Sequence, residues 1–148
     1  GTGDSEWCFD FTFKSSTAPN RFDVGLNSGT PSAGSRPTYD AQTTGQYNDW
    51  QVYVPNCGAC DSSMYGSITP TNEWFCRIRH TTSGTLMRWY SSEANRTNDV
   101  GGLGNTNIHA NETATVDCNY IVITIHNGSG SGYVKDIKLW KGSSTPIE

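Results

Sequence analysis

Trp7-Cys8-Phe9-Asp10-Phe11-Thr12-Phe13-Lys14 decides the fold. Aromatic rings alternate with Cys8, Asp10, Thr12 and Lys14, a period of two. Successive side chains of an extended chain point to opposite faces. The spacing therefore predicts a half-buried β-strand with its rings on a core and the other four residues on the opposite side.

The alternation recurs outward from this stretch. Phe22, Val24 and Leu26 alternate with Arg21, Asp23 and Asn27, and Trp50, Val52 and Val54 with Gln51 and Tyr53. Trp74, Cys76 and Ile78 face one way, with Phe75, Arg77 and Arg79 opposite. Thr81-Thr82-Ser83-Gly84 reads as a hairpin turn into a returning strand, Leu86 to Ser91. Thr113 to His126 is apolar on both sides, which predicts a central strand, and Tyr133 to Trp140 closes the series. Residues 27–38 and 92–111 read as long loops, rich in Gly, Ser, Pro and Asn. No segment carries the apolar stripe of an amphipathic helix. Roughly seven strands with short reversals predict an all-β fold, a two-sheet antiparallel β-sandwich of jelly-roll type.

Composition agrees. The 148 residues suit a single domain over 1–148, ending in a polar tail at about 141–148. Charged residues are 16% and glycines number 16, which favours turns over helices. A net charge of −4, with ten scattered Lys and Arg, argues against nucleic acid. No apolar run approaches the roughly 20 residues that span a bilayer, so no membrane insertion is expected. Gly1 follows no visible leader, so the start reads as a mature end or a domain cut from a longer chain.

Five cysteines, Cys8, Cys57, Cys60, Cys76 and Cys118, leave an odd thiol. Disulfide candidates are Cys57 with Cys60, closing a small loop, and Cys76 with Cys118 across neighbouring strands. As letters, Cys57, Cys60, Cys76 and His80 could ligate zinc. On a continuous strand, however, Cys76 and His80 lie roughly 13 Å apart, too far for one tetrahedral ion. Asn95, Asn111 and Asn127 each open a glycosylation triplet, in accord with an extracellular, cell-surface or virion-surface location.

No strand offers acids at alternate positions for glycosidase chemistry, and His80, His109 and His126 lie in no recognisable triad. No catalytic residue is assigned and no cofactor is required. Asp99 and Asp136 are the candidate calcium ligands. Binding rests on aromatics, because sugars stack their C–H faces on rings while amides and carboxylates bond the hydroxyls. Trp7, Trp50 and Trp74 share parity with apolar neighbours and are assigned to the core. Tyr47, Tyr53, Phe75, Trp89 and Tyr90 are the candidates for exposure. Asn95, Asp99, Asn105, Asn107 and His109, in the loop after Tyr90, could supply hydrogen bonds.

Glu73-Trp74-Phe75-Cys76-Arg77-Ile78-Arg79, the turn at Gly84-Thr85, and Leu86-Met87-Arg88-Trp89-Tyr90 resemble the concanavalin A-like jelly-roll superfamily, particularly its laminin-G-like members. Gly132 to Trp140 resembles the closing strand of those domains, and also that of galactose-binding-like carbohydrate modules. The resemblance covers about half the chain and implies sugar or glycoprotein binding. The leading expectation is a non-catalytic carbohydrate-binding or adhesion module with a glycan or glycoprotein partner. The alternatives are a self-associating structural domain of a fibre, capsid or surface layer, and a jelly-roll glycoside hydrolase or polysaccharide lyase.

Overall fold

The computed structural model describes residues 6–15, 21–27, 39–44, 49–53, 72–81, 84–103, 120–126 and 132–147, with side chains described for 6–14, 72–81, 88–103, 120–123 and 132–147. The strands in chain order are β1 (Trp7–Ser15), β2 (Arg21–Asn27), β3 (Tyr39–Thr44), β4 (Asp49–Tyr53), β5 (Trp74–Thr81) and β6 (Gly84–Tyr90), then β7 (Tyr120–His126) and β8 (Gly132–Lys141). A helix, α1 (Glu93–Asn98), follows β6. The fold is all-β. Its strands form two four-stranded sheets, ordered β6-β5-β1-β8 and β4-β3-β2-β7, and all the pairings are antiparallel. Among the described residues no helix is long and apolar enough to cross a membrane.

β1 lies inside the first sheet, between β5 and β8. Its ring face is buried: Trp7, Phe9, Phe11 and Phe13 join Trp74, Cys76 and Ile78 of β5 and Trp89 of β6. Phe11 meets Trp89 edge-on at 5.7 Å between ring centroids, and Trp7 stacks on His80 at 5.3 Å. Trp7 and Trp74 occupy the core as their parity requires, whereas the side chain of Trp50 lies outside the described residues.

The predicted half-burial of β1 is corrected. Cys8, Asp10 and Thr12, on the face opposite the rings, are also buried. Arg96, in the stretch after β6, reaches Asp10 and the Phe11 carbonyl, where the sequence predicts only a polar loop. Ser92 caps α1, its Oγ accepting from the Asn95 N–H at 3.1 Å, and Asp99 ends the helix in a left-handed conformation at φ 52°. The chain then doubles back. Leu103 and Trp89 exchange two backbone hydrogen bonds of 2.8 Å, which covers part of the β6 edge.

Three further differences concern strands. β3 was not marked by the sequence, because Tyr39-Asp40-Ala41-Gln42-Thr43-Thr44 carries almost no apolar alternation. β7 is not central among the described strands. It ends its sheet, with Val122 buried and Ile121 and Ile123 exposed by 44% and 46%. β8 carries a bulge: between Asp10↔Lys138 and Thr12↔Lys135 its register gains a residue opposite Phe11. Asp136 falls in this bulge at φ 53°, a conformation that Asp tolerates better than most side chains.

Candidate functional site

The polar face of the first sheet can be read from its register. One cross-strand row runs Arg88, Arg77, Asp10, Lys138, and the next places Arg79, Cys8 and Trp140 side by side. Cross-strand neighbours lie about 5 Å apart at Cβ, within reach of one another. Asp10 accepts from Nε and Nη2 of Arg77, both at 2.7 Å, in a two-pronged ion pair. The third Arg77 donor, Nη1, reaches the Arg96 carbonyl of α1 at 2.9 Å.

Arg96 is the buried residue of α1. Its Nε lies 3.5 Å from Asp10 Oδ2, and its Nη2 pairs with Glu93. Its Nη1 donates to the carbonyls of Phe11 at 3.0 Å and Cys76 at 3.3 Å. The β8 bulge leaves Phe11 without a register partner on that side, and Arg96 takes its carbonyl. The guanidinium also lies over the Phe75 ring, 5.7 Å from its centroid. Two arginines and two acids thus form a quartet, buried at Asp10, Arg77 and Arg96 and exposed at Glu93, that clamps the helix to the sheet. Removing one member would leave an uncompensated charge.

A second polar group lies beside it. Tyr90 Oη donates to Asp99 Oδ1 at 2.5 Å, and Arg79 Nη1 donates to Asp99 Oδ2 at 3.1 Å. The Tyr90 bond holds the Asp99 carboxyl below its ordinary range, and burial followed by Asp99 raises the Tyr90 phenol. Burial, then Asp10, pushes the Cys8 thiol up to about 12, and burial raises Cys76 well above its usual value.

Next to the quartet an open cleft of about 720 Å³ crosses the sheet face. Asp10 and Arg77 reach its floor, with Arg79 on one side and Lys138 and Trp140 on the other. Glu93 and Thr97 of α1 form one wall, and Thr145, Pro146 and Ile147 the opposite one. The polar tail is folded back to make that second wall. Gly142 N–H donates to the Glu6 carbonyl at 2.9 Å, and Trp140 Nε1–H to the Ile147 carbonyl at 2.9 Å.

The candidate residues from the sequence are redistributed. Trp89 and Tyr90 are not exposed platforms. They are 0% and 1% exposed, since adjacent residues point to opposite faces and both faces are covered. Phe75 is half-buried beneath Arg96 rather than free for a ligand. Asn95 lies in α1, its side-chain amide donating to Ser91 Oγ at 3.2 Å. Asp99 has both oxygens engaged, and among the described residues no cluster of three potential metal-ligating side chains surrounds Asp99 or Asp136. Cys76 is a free, buried thiol between β1 and β6, and its predicted partner Cys118 lies outside the described residues. β5 runs unbroken from Cys76 to His80, so these two keep the strand spacing that disfavours zinc. Tyr47, Asn105, Asn107, His109, Cys57, Cys60, Cys118, Asn111 and Asn127 lie outside the described residues, as does the Tyr53 side chain.

Sequence reading missed Asp10, Arg77, Lys138 and Trp140 as a group. Only the pairing of the first strand with both β5 and the last strand assembles them. No known protein-family model matches the chain. No curated protein matches it in sequence either.

Proposed function

We propose from geometry that the chain is a non-catalytic carbohydrate-binding or adhesion module displayed outside a cell or on a virion. Its two sheets close as a jelly-roll sandwich of concanavalin A-like type over the buried ring face of β1 and β5. The observation carrying this reading is the cleft between α1 and the 143–147 segment. Its volume falls in the range of ligand pockets, and it pairs a half-buried indole, Trp140, with hydroxyl and cationic donors. Such a mixture suits a sugar, which offers an apolar C–H face and a rim of hydroxyls. The two acids at the cleft, Asp10 and Glu93, are each committed to an arginine, which favours binding over acid–base chemistry. A glycan array tests the reading. Trp140→Ala should abolish the signal while the fold persists; failure of the unaltered chain to retain any glycan would remove the proposal.

A structural or assembly role is the second reading. Ile121, Ile123 and Tyr120 are exposed on β7, at the end of its sheet, as at a subunit contact. Concentration-dependent association on a sizing column, lost in Ile121→Ser/Ile123→Ser, would favour it.

A further inference from the structure

The cleft differs in charge from the molecule around it. The chain carries a net −4. The cleft nevertheless gathers three cations, Arg77, Arg79 and Lys138, against two acids, Asp10 and Glu93, an excess of one positive charge. The pairing within the site locates that excess. Arg77 engages each of its three nitrogens, on Asp10 and the Arg96 carbonyl. Glu93 is held by Arg96, a fourth cation just beneath the wall. Arg79 gives one Nη1 donor to Asp99 and keeps a fifth of its side chain exposed. Lys138, beside Asp10 in the register, is exposed and has no ion-pair partner among the described residues. The neighbouring Cys8 thiol, with its pKa near 12, brings no negative charge at neutral pH.

We infer that the cleft selects an anionic saccharide, with its carboxylate or sulfate between Arg79 and Lys138 and its ring against Trp140. This rests on the glycan-binding reading and adds the class of sugar. The geometry favours it for three reasons. Arg79 and Lys138 belong to strands on either side of β1, with the short residues Cys8 and Asp10 between them in the register, and both line the cleft. The carboxylate of Asp10 is already neutralised, so it does not repel an incoming anion. Thr97 and Thr145 stand on opposite walls, where their hydroxyls can meet those of a sugar. An anion at such a half-open site is bound by direct ion pairs, so its affinity should fall as salt rises.

The test measures binding of the unaltered chain, Lys138→Glu, Arg79→Gln and Trp140→Ala to four probes: an oligogalacturonide, sialyllactose, sulfated lactose and neutral lactose. The charged probes should bind at least tenfold more tightly than lactose at low salt. Lys138→Glu should remove that preference while the chain remains folded. It is the more telling variant, because Arg79→Gln also disturbs Asp99. The oligogalacturonide and sialyllactose arms separate carboxylate recognition from the sulfate arm. If lactose binds as well as the charged probes, or if Lys138→Glu leaves the preference intact, the inference falls while glycan binding stands. If no saccharide binds, both fall. If citrate alone competes as strongly as the charged sugars, the site is a general anion site and the inference falls.

Discussion

Arg77 closes on Asp10 through parallel bonds of 2.7 Å, from Nε to Oδ1 and from Nη2 to Oδ2, at the register position where β1 and β5 place the two residues opposite one another. The pair is almost wholly removed from water, with 7% and 3% of the two side chains exposed. Arg96 approaches the same carboxylate from α1. A single strand residue therefore anchors both its neighbouring strand and the helix above it.

Asp10→Ala should be the most damaging substitution on the polar face. It leaves two buried guanidinium groups facing one remaining acid, Glu93. Breaking a buried pair from one side typically costs about 3–5 kcal/mol. Urea unfolding should show that loss, whereas Lys138→Ala, at an exposed position, should stay within about 0.5 kcal/mol of the parent. A double-mutant cycle of Asp10→Ala with Arg77→Ala should give a coupling of about 0.5–3 kcal/mol. Additive effects would show that the pair does not act as a unit.

Cys8 and Cys76 should resist alkylation in the native state. Both are free and buried, and burial raises both thiols, Cys8 to about 12. The thiolate is the reactive form, so at pH 8 almost none is present. Peptide mapping after iodoacetamide treatment should find both unlabelled in buffer and labelled in guanidinium chloride. Native labelling of Cys76 would contradict its placement between β1 and β6.

The sequence made β1 legible because Trp7, Phe9, Phe11 and Phe13 repeat every second residue, a signal that survives without any tertiary knowledge. The same period misled about Cys8, Asp10 and Thr12. Polarity marks a solvent face only when nothing covers it, and the cover here is a helix whose buried residue is Arg96. No apolar stripe announces such a helix. Its signals were local ones: Ser92 at the N-cap, Glu93 in the first turn and Arg96 in the last. Tyr90 was misjudged for the same reason, whereas Trp89 belongs to the ring face and packs on Phe11. The cleft depended on long-range pairing, since Lys138 meets Asp10 only when the last strand returns beside the first. Strand parity predicts a face but not a neighbour.

Acid should weaken the fold partly through His80. Burial lowers its pKa below the ordinary 6.5, with Glu6 opposing, and the imidazole stacks on Trp7. The unfolded chain takes up a proton near pH 6.5, while the folded chain resists it. The stability associated with neutral His80 is therefore present above about pH 6.5 and lost as pH falls through the lower folded value. Urea midpoints measured from pH 7.5 down to 5 should decline for the parent and decline less for His80→Phe. Equal slopes would mean that His80 does not carry this dependence, leaving it to other groups.

Gly102 should tolerate no side chain, although it lies in a polar stretch that sequence reading treated as loop. A Cβ built there would lie 2.8 Å from Cε1 of Tyr90 and 3.0 Å from Cδ of Arg88. The Tyr90 ring cannot retreat easily. It is buried, and its hydroxyl is fixed on Asp99, which also holds Arg79. Gly102→Ala must therefore move the 99–103 return off the β6 edge or break the Tyr90–Asp99 bond. Overpacking of this kind costs about 1–3 kcal/mol. Gly101 gives the contrasting control: its φ of +67° favours glycine, yet a Cβ there meets nothing within 4 Å. Gly101→Asn, a residue that accepts this conformation, should stay near the parent in thermal midpoint. Gly102→Ala should fall by several degrees and shift the near-ultraviolet signal of Tyr90. A Gly102→Ala variant as stable as the parent would mean that the return does not pack on Tyr90.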